Sequence, residues 1–325
     1  MAYFISEQLN LNKEKVEIAA SVSKSDLVSG LVGEFPELQG VMGKYFALSQ
    51  GFEEDVARAI SEHYLPISIS SPAPKKPISC ALSIIDKLDT LVGFYLINEK
   101  PTSSKDPFAL RRAAIGLLRT IIENNLVIKL RDLIDYSIKI YLDQGVKNLN
   151  NDVSKDLFLF LRERMKNILK EKQIRTDIIE ASVSSHSSDN FLELYKKTLI
   201  MKKFISKDLG KNAVSAYKRA SSILDQEGIF SKNGPDAVLF KYEEEKELFD
   251  RINQIRKAFT LKEDKENYEE HLKLLSDTKL STDKFFDNVK VNDENKDLKN
   301  NRLELLQILC STFNSFVDFS KLEGA

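Results

Sequence analysis

Cysteine, histidine and glycine are scarce in this sequence, at two, three and twelve residues in a chain of 325. Cys80 and Cys310 stand far apart, which gives neither a metal-ligand spacing nor a disulfide framework and fits a reducing compartment. No apolar stretch approaches the roughly 18 uninterrupted residues of a membrane-spanning helix. The opening MAYFISEQLNLNKEK lacks the basic and then apolar regions of a leader, so a soluble, unexported chain is expected. An excess of one charge is also missing. The 48 basic and 49 acidic residues leave a net charge of −1, which excludes a uniformly basic nucleic-acid coat and makes any polyanion site local. There is no G-x-x-x-x-G-K-[ST] loop to cradle ATP phosphates.

Apolar residues, at 42% of the chain, recur at spacings of three and four, as in Leu157, Phe158, Leu161, Met165, Ile168 and Leu169. That period predicts an all-α protein, and the length predicts two domains. Pro66, Pro72, Pro74 and Pro77 crowd LPISISSPAPKKPIS into a loop, because each ring removes an amide donor and clashes with the preceding helical turn. The break at YLDQGVKNLNNDVSKD, with Gly145, predicts a boundary between residues 1–145 and 146–325. Farther on, SVSSHSSDN reads as a polar connector, QEGIFSKNG as a helix end, and STDKFFDNVKVNDENKDLKNN as a charged loop entering a last helix. No repeat of fixed period is present.

Three clusters carry possible chemistry. In SSKDPFALRRAAIGLLRTIIENN, Asp106 is placed as an N-cap and Pro107 as the first helical residue. Arg112 and Arg119 then share a face with Ile115 between them. That spacing suits a phosphate clamp, or an ion-pair bridge to Asp86 or Asp89, the reading we favour. Asp86 and Asp89 lie i,i+3 on an apolar helix, as a metal or general-base pair would require. Of His63, His186 and His271, however, only His63 lies in the same half, so a structural His63 is expected and no metal site. The third cluster is KKTLIMKKFISKDLGKNAVSAYKR, with Lys202, Lys203, Lys207, Lys211, Lys218 and Arg219 among eight cations against Asp208 alone. Tyr217 beside the last two offers a stacking face for a base, and a merely solvated helix surface is the competing reading.

SKSDLVSGLVGEFPELQGVMGKYFA, VARAISEHYLP, IIDKLDTLVGFYLI and PTSSKDPFALRRAAIGLLR resemble, in order and spacing, the β subunit of the bacterial heterotetrameric glycine–tRNA ligase. RERMKNILKEKQIRTDIIEA, AVSAYKRASSIL and NNRLELLQILCSTFNSFVDFSKLEG extend the likeness through the second half. The chain resembles the C-terminal part of a longer family chain. It departs in the Pro72 to Pro77 loop, in SII before Asp86, and in SSKDP where the family has a Gly-Ser form. The resemblance implies an N-terminally incomplete HD-like helical domain, then a helical anticodon-binding domain of the DALR type. It also implies a cytoplasmic chain with no catalytic residue, metal or cofactor of its own, partnered by tRNA for glycine and by an α subunit that uses ATP. It makes Lys105, Arg112, Lys202, Lys203, Lys211, Tyr217, Lys218, Arg219, Asn301 and Arg302 the expected tRNA contacts. Asp86, Asp89, Arg111 and Arg119 are expected to form a structural ion-pair cluster. A metal phosphohydrolase and a helical protein-interaction scaffold are the rival readings.

Overall fold

In the computed structural model, residues 1–68, 70–102, 104–150, 152–185, 189–227, 234–260 and 267–323 are described, and every regular element among them is helical. QEGIFSKNG from its Gly228 to Asn233, and His186, lie outside the described residues. Contacts divide the chain into two units. The first comprises residues 1–168 with 188–193, and the second 169–187 with 194–325. The expected boundary at Gly145 falls instead in the loop between two helices of the first unit, because the helix beyond it packs its first turns there.

The first unit contains α1 (Ala2–Leu9), α2 (Lys13–Val22), α3 (Gly30–Glu34), α4 (Val41–Ser49), α5 (Glu54–Glu62), α6 (Pro77–Leu96), α7 (Leu110–Glu123), α8 (Leu130–Asp143) and most of α9 (Val153–Glu171). Its centre is α6, which touches α1, α2, α5, α7 and α8. A helix surrounded on all sides must be apolar nearly all round. Accordingly, Cys80, Leu82, Ile84, Leu88, Leu91, Val92 and Leu96 are all buried. Pro77 opens α6 at its first turn, where a missing N–H costs nothing, and the other prolines keep residues 65–68 and 70–76 out of any helix.

The helix expected to begin at Pro107 begins at Leu110. Asp106 still caps it, its carboxylate accepting from the amides of Leu110 at 2.9 Å and Arg111 at 3.0 Å. It does so from four residues back, across a turn that puts Ala109 at φ 54°.

The second unit contains α10 (Thr176–Ser185), most of α11 (Phe191–Ile205), α12 (Asp208–Glu227), α13 (Glu243–Thr260), α14 (Tyr268–Ser276), α15 (Thr278–Asn288) and α16 (Lys296–Asn314). Ser182 to Ser185, expected in a connector, are the last residues of α10, and residues 281–288, expected in a charged loop, belong to α15. Thr282 and Phe285 are buried at i,i+3 in that segment, and the charges flanking them hid the period. α12 meets α14, α15 and α16 through a face of small residues, Gly210, Ala213, Ala216 and Ala220, that admits close approach.

Candidate nucleic-acid interface

The basic run resolves into two helix faces and a corner. α11 ends at Ile205 and α12 starts at Asp208, a turn so tight that a Cβ on Gly210 would lie 2.3 Å from the Phe204 carbonyl oxygen. That corner exposes Lys203 and Lys207, and the solvent side of α12 exposes Lys211 and Lys218. Among the described residues the ammonium groups of Lys203, Lys207 and Lys218 have no side-chain partner, whereas Lys211 lies 3.7 Å from Asp208. Lys202 is bound, donating to the Lys172 carbonyl at 2.8 Å. Lys203 and Lys207 also line a hollow of 330 Å³ whose far wall carries Lys273, a cation unmarked in sequence because Glu269 and Glu270 precede it.

Four expected contacts are structural instead. Tyr217 is buried, packed among Phe313 and Phe319, and its hydroxyl accepts from Asn314 at 3.2 Å, so it has no free face for a base. Its position follows from the period, since Ala213, Val214 and Ala220 share its side of α12. Asn301 is buried too, its amide nitrogen donating to the Asp236 carbonyl at 3.1 Å. Arg302 is fully enclosed. Its guanidinium donates to Glu245 at 2.8 Å, Asp293 at 2.8 Å and the Lys290 carbonyl at 2.9 Å. Arg219 spans to α15, 3.4 Å from both Asp283 and Asp287 and lying over the Phe286 ring.

In the first unit the expected aspartate–arginine cluster does not assemble. Asp86 pairs with Lys24 at 2.8 Å, while Arg111 turns to Asp106 and Arg119 to Glu123 at 2.7 Å and to the Ser68 and Ser71 carbonyls. Asp89 lies on the exposed side of α6, its backbone carbonyl accepting from the Tyr141 hydroxyl at 3.2 Å. Sequence gave no sign of the cation that does reach Asp86. The Lys24 ammonium also sits 2.8 Å from His63 Nε2 and 4.2 Å from the Tyr64 ring centroid. Among the described residues no three His, Cys, Asp or Glu side chains converge in a way that would hold a metal ion.

Lys87, buried beside this group, donates to the His63 and Leu65 carbonyls and to Ser83 Oγ at 2.8 to 2.9 Å. Burial lowers its pKa to about 8, and the Lys24 charge adds to that while Asp86 opposes it. Lys105 and Arg112 are exposed, and neither has a side-chain partner among the described residues.

His63 supplies a pH test. It is fully buried, with Nδ1–H donating to the Ile60 carbonyl at 2.7 Å. Burial first and the Lys24 charge second lower its pKa to about 4 from the ordinary 6.5, against the opposing pull of Asp86. Between those values the unfolded chain binds a proton that the native chain does not. Stability on the order of 3 kcal/mol, present above pH 6.5, is therefore lost as pH falls toward 4. Denaturant titrations across that range should show a shallower slope for His63→Gln than for the parent chain. Equal slopes would mean that His63 titrates alike folded and unfolded.

The second unit is an all-α bundle packed on a small-residue helix face, with unpaired lysines on its outside. Residues 213–319, covering α12 from its second turn and α13 to α16, match the DALR anticodon binding domain. Residues 1–184 match the family model for the glycyl-tRNA synthetase beta subunit, and the chain belongs to that family. It is 40% identical over 312 residues to the glycine–tRNA ligase beta subunit of Rickettsia canadensis, a match covering 96% of this chain and 45% of that protein. The same-named proteins of Rhodospirillum centenum and Paracoccus denitrificans are 38% and 34% identical, over 96% and 100% of this chain. The chain thus spans less than half the length of these relatives. Among the described residues no helix is long and apolar enough to cross a membrane.

Proposed function

We propose that the chain is the tRNA-binding part of a glycine–tRNA ligase beta subunit, acting in the cytoplasm. The second unit grips the anticodon arm of tRNA for glycine, and an α subunit carries out the ATP-dependent glycylation. The observation that carries this reading is the DALR match over residues 213–319, within which α12 exposes the unpaired Lys218, with Lys203 and Lys207 exposed and unpaired at the α11–α12 corner just before it. Phosphate contacts of this kind position an RNA, and bases are read by groups the lysines bring into register. The first unit is read as an HD-like helical domain without metal chemistry, its Asp86 and His63 both engaged by the Lys24 ammonium.

Capture of total RNA on the immobilised chain tests the proposal. Enrichment of tRNA for glycine over other tRNAs is the expected result, and indifferent capture of all tRNAs would refute it. The same preparation should show no ATP–pyrophosphate exchange, because the sequence contains no G-x-x-x-x-G-K-[ST] loop to cradle a triphosphate.

A further inference from the structure

The first unit contains a hollow that none of the packing above requires. It has a volume of 750 Å³ and lies between α7 and the loop after α5, walled by Pro66, Ile67, Arg111, Arg112, Ile115 and Arg119. Two of its three guanidiniums are committed to holding the walls. Arg119 ties the loop to α7 through the Ser68 carbonyl at 3.1 Å and the Ser71 carbonyl at 2.8 Å, and Arg111 donates to the Thr102 carbonyl. The back is held by Lys87, whose donation to the Leu65 carbonyl fixes the residue before Pro66. A Cβ at Gly116 would lie 2.7 Å from Lys87 Cε, so a larger residue there would push the Lys87 side chain aside. Asp106, the one acid among the described residues lining this hollow, has its carboxylate occupied by two backbone amides. Arg112 is the unused cation, exposed and with no partner among the described residues.

Arg112 also lines an adjoining hollow of 670 Å³, which shares Pro66 and Ile67 with the first and adds Tyr64, Phe108 and two acids, the exposed Glu37 and the Lys24-paired Asp86. Phe108 is a braced platform. One face stacks on Phe94 at 4.0 Å between centroids, and the residue remains 42% exposed. Tyr64 adds a second aromatic side chain to the wall. An unpaired guanidinium beside an apolar shelf and an exposed aromatic face suits an anionic group joined to a flat ring.

We propose that the paired hollows seat one nucleotide of a single-stranded RNA segment, with its phosphate at Arg112 and its base against Phe108. The inference rests on the reading of the chain as an RNA-binding protein, but it places a contact in a different unit from the anticodon-gripping surface. A strand is favoured over a free nucleotide because the two hollows run on from one another past Arg112 and are open to the solvent side of α7.

The test is fluorescence anisotropy of the full chain with a labelled single-stranded RNA pentamer, run beside an RNA hairpin with the sequence of the anticodon arm. Arg112→Glu should weaken pentamer binding at least tenfold, and Phe108→Ala several-fold, with melting temperature unchanged. Neither should alter hairpin binding. Adenosine or cytidine monophosphate should displace the pentamer only at concentrations tenfold or more above that of unlabelled pentamer. Pentamer binding indifferent to Arg112→Glu would overturn the proposal, and so would a mononucleotide that competes as well as the pentamer, which would assign the hollows to a free nucleotide. Loss of hairpin binding on reversal of the α12 lysines is read separately, so failure of the anticodon-arm reading is distinguishable from failure here.

Discussion

Arg302→Met should destabilise the second unit by about 3–5 kcal/mol, the cost of leaving one half of a buried ion pair without the other. Arg302 and Glu245 are each 1% exposed and meet at 2.8 Å. The other carboxylate oxygen of Glu245 accepts from the Lys241 and Tyr242 amides at 2.7 and 2.8 Å, which closes the start of α13. The same guanidinium holds the Lys290 carbonyl and Asp293, so one side chain joins α13, α16 and the turn between α15 and α16. Glu245 stripped of its partner would be a buried charge with only two amides to solvate it. At roughly 2–4 °C per kcal/mol for a domain of this size, the transition of the second unit should fall by about 10 °C or more. Adding Glu245→Gln to Arg302→Met keeps the amide acceptor and removes the orphan charge, and it should recover a large part of the loss. A single variant no worse than an exposed substitution, within about 0.5 kcal/mol, would show that the pair is solvated.

The combined reversal Lys203→Glu, Lys207→Glu and Lys218→Glu should cost about a hundredfold in affinity for tRNA at roughly 0.15 M salt. Each neutralised phosphate contributes about 0.9 to the slope of log affinity against log salt, hence about 0.7 of a decade at that concentration. Three lost contacts therefore flatten the slope by about 2.7 units and remove about two decades. Stability should stay within about 0.5 kcal/mol of the parent, because none of the three ammonium groups has a partner among the described residues. Arg219→Glu is the contrasting variant. It sets a carboxylate against Asp283 and Asp287, so it should lower the melting temperature modestly while changing the salt slope less than any one of the three lysines. Filter binding across a salt series reads both quantities, and an unchanged slope for the triple variant would return these lysines to the status of a solvated helix face.

Helix content and the proline-bounded loop were legible because they depend on local period and on backbone chemistry. The ion pairs were not. Asp86 finds Lys24 and Arg302 finds Glu245 across long sequence separations, so each partner is decided by tertiary packing. Part of what went astray was nevertheless readable. Arg302 lies on the stripe of Leu298, Leu305, Leu306 and Leu309, and a charge at such a position signals a buried partner before it signals a ligand. Tyr217 likewise shares a stripe with Ala213, Val214 and Ala220, so its neighbours Lys218 and Arg219 said little about its own exposure. The start of α7 was misplaced because Asp106 followed by Pro107 is a strong local signal, and the turn through Ala109 that overrides it is set by contacts outside the segment.

The most direct measurement is a nuclease footprint of tRNA for glycine bound to the chain, read with and without the triple lysine reversal. Protection of the anticodon arm that disappears in the reversed variant is the predicted result. An anticodon arm cut equally in the presence and absence of the chain, while some other part of the tRNA is protected, would contradict the assignment of α11, α12 and the DALR helices to anticodon binding.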